Sequence, residues 1–442
     1  MTLEINFRET NLMYLCRLYL RTRQMFRSRT LISLILLLAF EFAGRQAAAY
    51  TANDDHQHPP TRVLPAQQTK SFADYIDPVF ANYPVPKPDT ATTKVREFRV
   101  IVLSDMIVNR RTHAEWGYAA YIDGIDAQGN RFSVLFDTGA ETGTVWYNLQ
   151  KLVDPDNAKA NMVSKVCQTT SVILSHNHQD HVAGLLTLRR NCVAAGYPDA
   201  LKTAILGGRE ATWSRQDRTV SPHKENNYLL RPAGPGPADD PNAGTIEQQY
   251  SALGGTFVYA DVPQMIAPGV WTSGKVFRTT GEKEWWQFGE TGPLVSNSGG
   301  EYHDNIPEDH GLVINTRAGL VVLTGCGHAG IVNIIKHARE HVIAGLPKVG
   351  AVMGGVHLFS AKPSELDFVV QGLKDAGVNY MIGSHCTGIE ALMYLRPRAK
   401  LKETDAVVGT VGTVLRNHPV DLPKLEVTWL SGAQISKHPS LN

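Results

Sequence analysis

The stretch Ser175-His176-Asn177-His178-Gln179-Asp180-His181 sets three imidazoles and a carboxylate within seven residues. Imidazole nitrogens and carboxylate oxygens suit Zn, and also Fe, Mn or Ni. The apolar run Val172-Ile173-Leu174 precedes it and reads as a buried strand, and Val182-Ala183-Gly184-Leu185-Leu186 follows and can open a helix. On an extended backbone His176 and His178 point to the same side. The turn after them lets Asp180 and His181 face back. The spacing therefore predicts a metal-binding loop at a strand end rather than a polar connection rich in His.

Four further segments carry the same character: Phe136-Asp137-Thr138-Gly139, Leu323-Thr324-Gly325-Cys326-Gly327-His328-Ala329-Gly330, Gly354-Gly355-Val356-His357-Leu358 and His385-Cys386-Thr387-Gly388. With the His-x-His-x-Asp-His loop, this set resembles the metallo-β-lactamase superfamily, and within it the branch that includes dihydropterin ribofuranosylaminobenzene phosphate synthase. The resemblance spans roughly residues 97–415, with a poorly matching stretch at about 209–300. It implies an α/β chain folded as an αββα sandwich, with one or two metal ions at the strand ends.

Metal hydrolases hold the ion and leave one position for water. His176 and His178 are assigned to a first metal, with His328 as their best further ligand. Asp180 and His181 are assigned to a second, with His385 as its distal ligand. Many superfamily members carry a bridging Asp where this chain has Cys326. The thiol is either a Zn ligand or a small buried residue that turns the chain so that His328 reaches in; the second reading is adopted here. The separate His expected before that hairpin is not obvious, and Asp309 or His310 stands in its region. Asp137 resembles the family's outer carboxylate, which orients a ligating His, and it also suits the turn before Gly139. His357 reads as an acid, an anion contact or a spare ligand, or else as a core His. His113 is linked to the pocket only by resemblance. His337 and His341 are expected on the solvated side of a helix.

The N-terminus reads as an export signal over residues 1–49. Arg21, Arg23, Arg27 and Arg29 precede the apolar run 31–40, and Ala47-Ala48-Ala49 offers a cleavage site. Glu41 and the shortness of the run weigh against a membrane anchor, and Met25 is an alternative start. The leader holds seven Arg and three Glu. Of the chain's 43 basic and 42 acidic residues, 36 and 39 then remain, a net charge of −3. That balance weighs against a nucleic-acid binder. Cys167 and Cys192 flank the metal-loop strand and are read as a disulfide or as two buried thiols.

Residues 50–96 read as a linker and arm, and residues 97–442 as one domain. Strands are expected at 98–103, 118–122 and 133–136, with Gln128-Gly129-Asn130 as a turn. Others are expected at 312–316, 320–323, 349–353 and 380–382. The stretch 209–300 is long and aperiodic and holds Trp213, Trp271, Trp285 and Trp286, which suits either a lid or core packing. No Gly-x-Ser-x-Gly elbow and no phosphate loop occur. The expected function is an exported, metal-dependent hydrolase, with zinc as the first choice and Fe or Mn as others. Its substrate is a small ester, lactone, amide or phosphoester attacked by a metal-activated water. Asp180 and His357 are the candidate catalytic groups. The alternatives are a pterin-type synthase on the same fold or a non-catalytic metal-holding binding protein. The expected partner is a small molecule, with no nucleic acid and no membrane span after signal cleavage.

Overall fold

The computed structural model describes residues 89–436, apart from 91, 109–110, 142, 217–226, 231–243, 283–293, 298–299, 304–305, 418–422 and 432–433. The leader, most of the arm, Trp285 and Trp286 lie outside the described residues.

Strict alternation along the strands decides the layering. In β1 (Glu97–Ser104), Val100 and Val102 face one core cluster while Ile101 and Leu103 face another. In Ser171–Leu174, Ile173 joins the first cluster and Val172 and Leu174 the second. A period of two buries both faces only when something covers each. The shared cluster lies between two sheets, since it also takes Leu312, Ile314, Val321, Leu323, Ala351 and Met353. Helices cover the outer faces. Leu149, Leu185, Leu188 and Tyr250 pack on one sheet, and Ile331, Ile334, Val369, Leu373 and Leu392 on the other. The result is the expected αββα sandwich.

Among the described residues the first sheet runs, in spatial order, Gln434–Ser436, Leu425–Ser431, Thr413–Asn417, Glu97–Ser104, Ala119–Ile125, Arg131–Phe136, Ser171–Leu174, Thr203–Leu206 and Thr256–Tyr259. The second runs Met265–Ala267, Val270–Thr272, Leu312–Thr316, Gly319–Thr324, Val349–Gly354, Tyr380–Gly383 and Ala406–Val408. The turn at 126–130 forms as expected: the Asp126 carboxylate accepts from the Gln128 and Asn130 amides at 2.8 and 2.9 Å. The strand carrying the metal loop is parallel to both neighbours. So are 319–324, 349–354 and 380–383 to one another. Parallel strands discharge their loops at one end, the end where such sheets bind ligands.

Two expectations change. Part of the 209–300 stretch is scaffold: Thr256–Tyr259 extends the first sheet, and 265–267 with 270–272 extend the second. Strands this short show no usable period, which is why the sequence hid them. His337 is buried rather than solvated. Its Nε2 donates to the Ser273 carbonyl at 2.9 Å, and its Nδ1 accepts from the Phe277 amide at 3.3 Å. Residues 273–277 cover the helix face that periodicity assigned to water, and burial lowers the His337 pKa to about 4. His341 is partly exposed beside it.

Cys167 and Cys192 form a disulfide. No helix among the described residues is long and apolar enough to cross a membrane. At the rim, buried Lys275 bridges Glu210 at 2.6 Å and Asp261 at 2.7 Å. Removing the ammonium leaves the buried Glu210 carboxylate and the partly exposed Asp261 carboxylate without their shared counter-charge. Lys275→Ala should therefore destabilise the domain by about 3 kcal/mol or more in urea unfolding. Lys202→Ala, at an exposed pair with Asp199, should stay under about 1 kcal/mol.

Candidate metal centre

The strand ends bring the predicted ligands into two adjoining groups. His176, His178 and His328 offer ring nitrogens that all lie within 4.8 Å of one another. Asp180, His181, Cys326 and His385 do the same with a carboxylate oxygen, two ring nitrogens and a thiol sulfur. The rings of His176 and His181 are 4.2 Å apart, so the groups share a wall. His176 Nε2 and His328 Nε2 stand 3.2 Å apart. His385 Nε2 is 3.1 Å from Asp180 Oδ2, and His181 Nε2 is 3.1 Å from Cys326 Sγ. All six assigned ligands take part.

Asp137 fixes the loop. Its carboxylate accepts from Ser175 N at 2.7 Å, Ser175 Oγ at 2.8 Å and His181 Nδ1 at 2.7 Å. With Nδ1 committed, Nε2 of His181 is the nitrogen presented to the cluster. Asp137 adopts a left-handed φ of 56°, a conformation Asp tolerates better than most residues. Both roles expected of it, turn and brace, are therefore filled. Gly325 is required at the close approach: a Cβ there would run into Ser175 Oγ and Asp137.

Electrostatics suits cations. Burial, and then the neighbouring imidazoles, push His176 and His328 well below the usual histidine range, so both are neutral with lone pairs to offer. Burial would do the same to His181, but Asp180 and Asp137 outweigh it and raise that pKa to about 9. His181 and His385 hold Asp180 well below the usual carboxylate range, against its burial. In one half burial thus keeps His176 and His328 neutral, and in the other the chain stabilises positive charge on His181. Nitrogen, carboxylate and thiol donors at these separations fit a transition-metal ion of the Zn type in either half.

Other predicted residues fall elsewhere. His310 braces the loop strand through Nε2 to the Leu174 carbonyl at 2.9 Å, and Asp309 accepts from Ala329 N beside His328 at 2.8 Å. Neither belongs to a donor group. His113 stacks on Tyr147 at 3.8 Å. His357 stands 4.6 Å from the His328 ring and groups with Cys326 and Cys386. Cys326 is buried with its sulfur 3.1 Å from His181 Nε2 and 3.2 Å from Cys386 Sγ, a position that suits a donor as well as a spacer. Asp105 was missed: it accepts from the His385 amide at 3.0 Å and so sets that ligand's backbone. Its signal was available, since Ser104-Asp105 ends a strand as Phe136-Asp137 does.

Fold and site together define a metallo-β-lactamase-fold protein with a candidate metal centre. A solved metal-dependent hydrolase of the β-lactamase superfamily matches with a TM-score of 0.50 and 22% identity, covering 71% of this chain and 95% of that one. Among curated proteins, a 7,8-dihydropterin-6-methyl-4-(β-D-ribofuranosyl)-aminobenzene-5′-phosphate synthase of Methanocaldococcus jannaschii is 28% identical over 275 residues, 60% of this chain and 79% of its own length. An uncharacterised protein of the same organism is 24% identical over 316 residues, 71% of this chain and 98% of its own length. No family model matches the chain. The resemblance read from the motifs therefore holds at the level of the fold.

Asp137→Asn should weaken metal binding 10- to 100-fold in a chelator competition, the range for a lost outer-shell partner. Ala at His176, His178, His181, His328 or His385 should cost more, and His113→Ala nothing. In the Co²⁺-loaded protein, a sulfur-to-metal charge-transfer band should appear and vanish in Cys326→Ser. A Co²⁺ spectrum without that band returns Cys326 to a spacer.

Proposed function

We propose that this chain is an exported metal-dependent hydrolase of a small ester, lactone, amide or phosphoester. His176, His178 and His328 would hold one ion, and Asp180, Cys326 and His385 with His181 a second. Zn is the first choice, and Fe or Mn would fit the nitrogen and oxygen donors. The observation that carries the reading is the pairing of a three-nitrogen group, in which burial keeps His176 and His328 neutral, with an adjoining group that contains ionised Asp180. When bound, the metal supplies Lewis acidity to the scissile group and to a water molecule. The Asp180 side chain is 19% exposed, and its carboxylate would accept a hydrogen bond from that water and orient it. His357 lies between His328 and Phe359 and would serve as the acid for a leaving group. The curated synthase supports a second reading, in which the same donors activate a group for condensation rather than for water. A non-catalytic metal-holding protein is the third.

Export is supported by the basic and apolar leader and by the Cys167–Cys192 disulfide. Mass spectrometry of the mature chain should find its N-terminus near Tyr50. A retained leader in a membrane fraction would replace export with anchoring.

The metal-loaded protein should hydrolyse at least one class in a panel of chromogenic esters, lactones, phosphodiesters and cephalosporins. Chelation should abolish turnover and Zn²⁺ restore it. His357→Ala should lower kcat by 10²- to 10⁴-fold, the usual worth of general acid–base catalysis, while metal content holds. Metal-loaded protein that turns over no member of the panel would favour the synthase or the binding reading.

A further inference from the structure

Two large aromatic side chains remain half exposed directly against the donor cluster. Trp116 is 51% exposed and Phe359 50%. The Trp116 ring lies 5.3 Å from that of His385, and the Phe359 ring 5.1 Å from that of His357. Each ring thus borders a different part of the centre. The two rings meet at 5.8 Å with an interplanar angle of 87°, so they form a right-angled corner.

The backbones that present these rings are pinned. Glu115 N donates to the Asp105 carbonyl at 3.1 Å, and the Glu115 carboxylate accepts from Glu141 N at 2.8 Å and from Ser104 Oγ. One residue after Trp116, the Cβ-less Gly117 packs against the Asp180 carbonyl, and Tyr118 N donates to that same oxygen at 3.1 Å. Phe359 N donates to the Cys386 carbonyl at 3.3 Å, next to ligand His385. Gly388 is needed where the start of helix Ile389–Arg398 crowds the Phe359 backbone. Half-exposed Ile389 continues the apolar surface from there.

Leaving an indole and a phenyl ring in water forgoes apolar burial that either could have found in the core. Rigid anchoring of both removes the entropy cost of ordering them around a ligand. We propose that Trp116 and Phe359 form the specificity wall of the site, taking a flat, apolar ring system on the substrate next to the group that reacts. A right-angled corner suits one such ring, with its face on one side chain and its edge on the other. The proposal rests on the reading of the donor cluster as the reaction centre, and it narrows the substrate class to molecules bearing an aromatic or comparably planar portion.

The test uses 1-naphthol as a binding probe in calorimetry, and 1-naphthyl acetate against ethyl acetate as substrates, all with the metal-loaded full chain. Trp116→Ala and Phe359→Ala should each weaken 1-naphthol about tenfold, equivalent to a lost ring–ring contact of about 1.4 kcal/mol. They should also lower the naphthyl-to-ethyl preference in kcat/KM by a similar factor, with metal content and thermal midpoint near wild type. Trp116→Phe should recover most of the binding. If naphthol binding depends on the two rings but neither these esters nor any member of the hydrolase panel is turned over, the wall stands and the hydrolase reading falls. If the wild type does not bind 1-naphthol, or if both Ala variants bind it within twofold of wild type, the wall is refuted whatever the esterase result. A Trp116→Ala variant that loses its fold defers the decision to Trp116→Phe and Phe359→Ala, and unchanged binding in Phe359→Ala then refutes the corner.

Discussion

The centre depends on one buried carboxylate. Asp137 receives hydrogen bonds from Ser175 N, Ser175 Oγ and His181 Nδ1, and so joins the ends of two parallel strands to the loop that leaves one of them. A buried carboxylate without partners is costly, and this one accepts three hydrogen bonds. It orients the His181 ring, sets the direction of the loop, and leaves no room for a Cβ at Gly325 in the facing sheet. The two halves of the sandwich are therefore held in register at the point where the donors meet. Asp105 repeats the device for His385. Two strand-end aspartates thus position two candidate ligands of the same donor group, whose rings lie 5.1 Å apart.

Much of this was legible because the strands are regular and buried. Val172–Leu174 is a pure apolar run, and Glu97–Ser104, Leu312–Thr316 and Val349–Gly354 alternate or run apolar over lengths that a period of two can mark. The donors were legible because His, Asp and Cys at strand ends are chemically conspicuous. What stayed hidden depends on contacts distant in sequence. Cys326 lies 145 residues from the His181 nitrogen it faces, so nothing local could separate a ligand from a spacer. His337 has helical spacing that suits an exposed face, yet residues 273–277 close over it. Trp116 follows no periodic pattern at all, and its setting arises only when the Asp180 backbone packs beneath Gly117.

The stretch 256–272 ties the layers together in another way. Thr256–Tyr259 is an edge of one sheet, and Val270–Thr272 with Met265–Ala267 is an edge of the other. A chain that passes from one edge to the other within a few residues clasps that side of the sandwich. Buried Lys275, just after it, reaches back to Glu210 and Asp261 and closes the clasp with charge.

The disulfide has its own consequence. Cys167 and Cys192 are 25 residues apart, and the covalent ring they close contains His176, His178, Asp180 and His181. Four donors from both metal groups thus travel together even in an otherwise unfolded chain. On the chain-entropy account, a ring of this size restricts the unfolded ensemble by about 3 kcal/mol. It also keeps the four donors at high effective concentration relative to one another. A metal ion meeting this chain before it has folded would find a tethered, multidentate loop, so capture of the ion and assembly of the β-sandwich can begin from the same short segment.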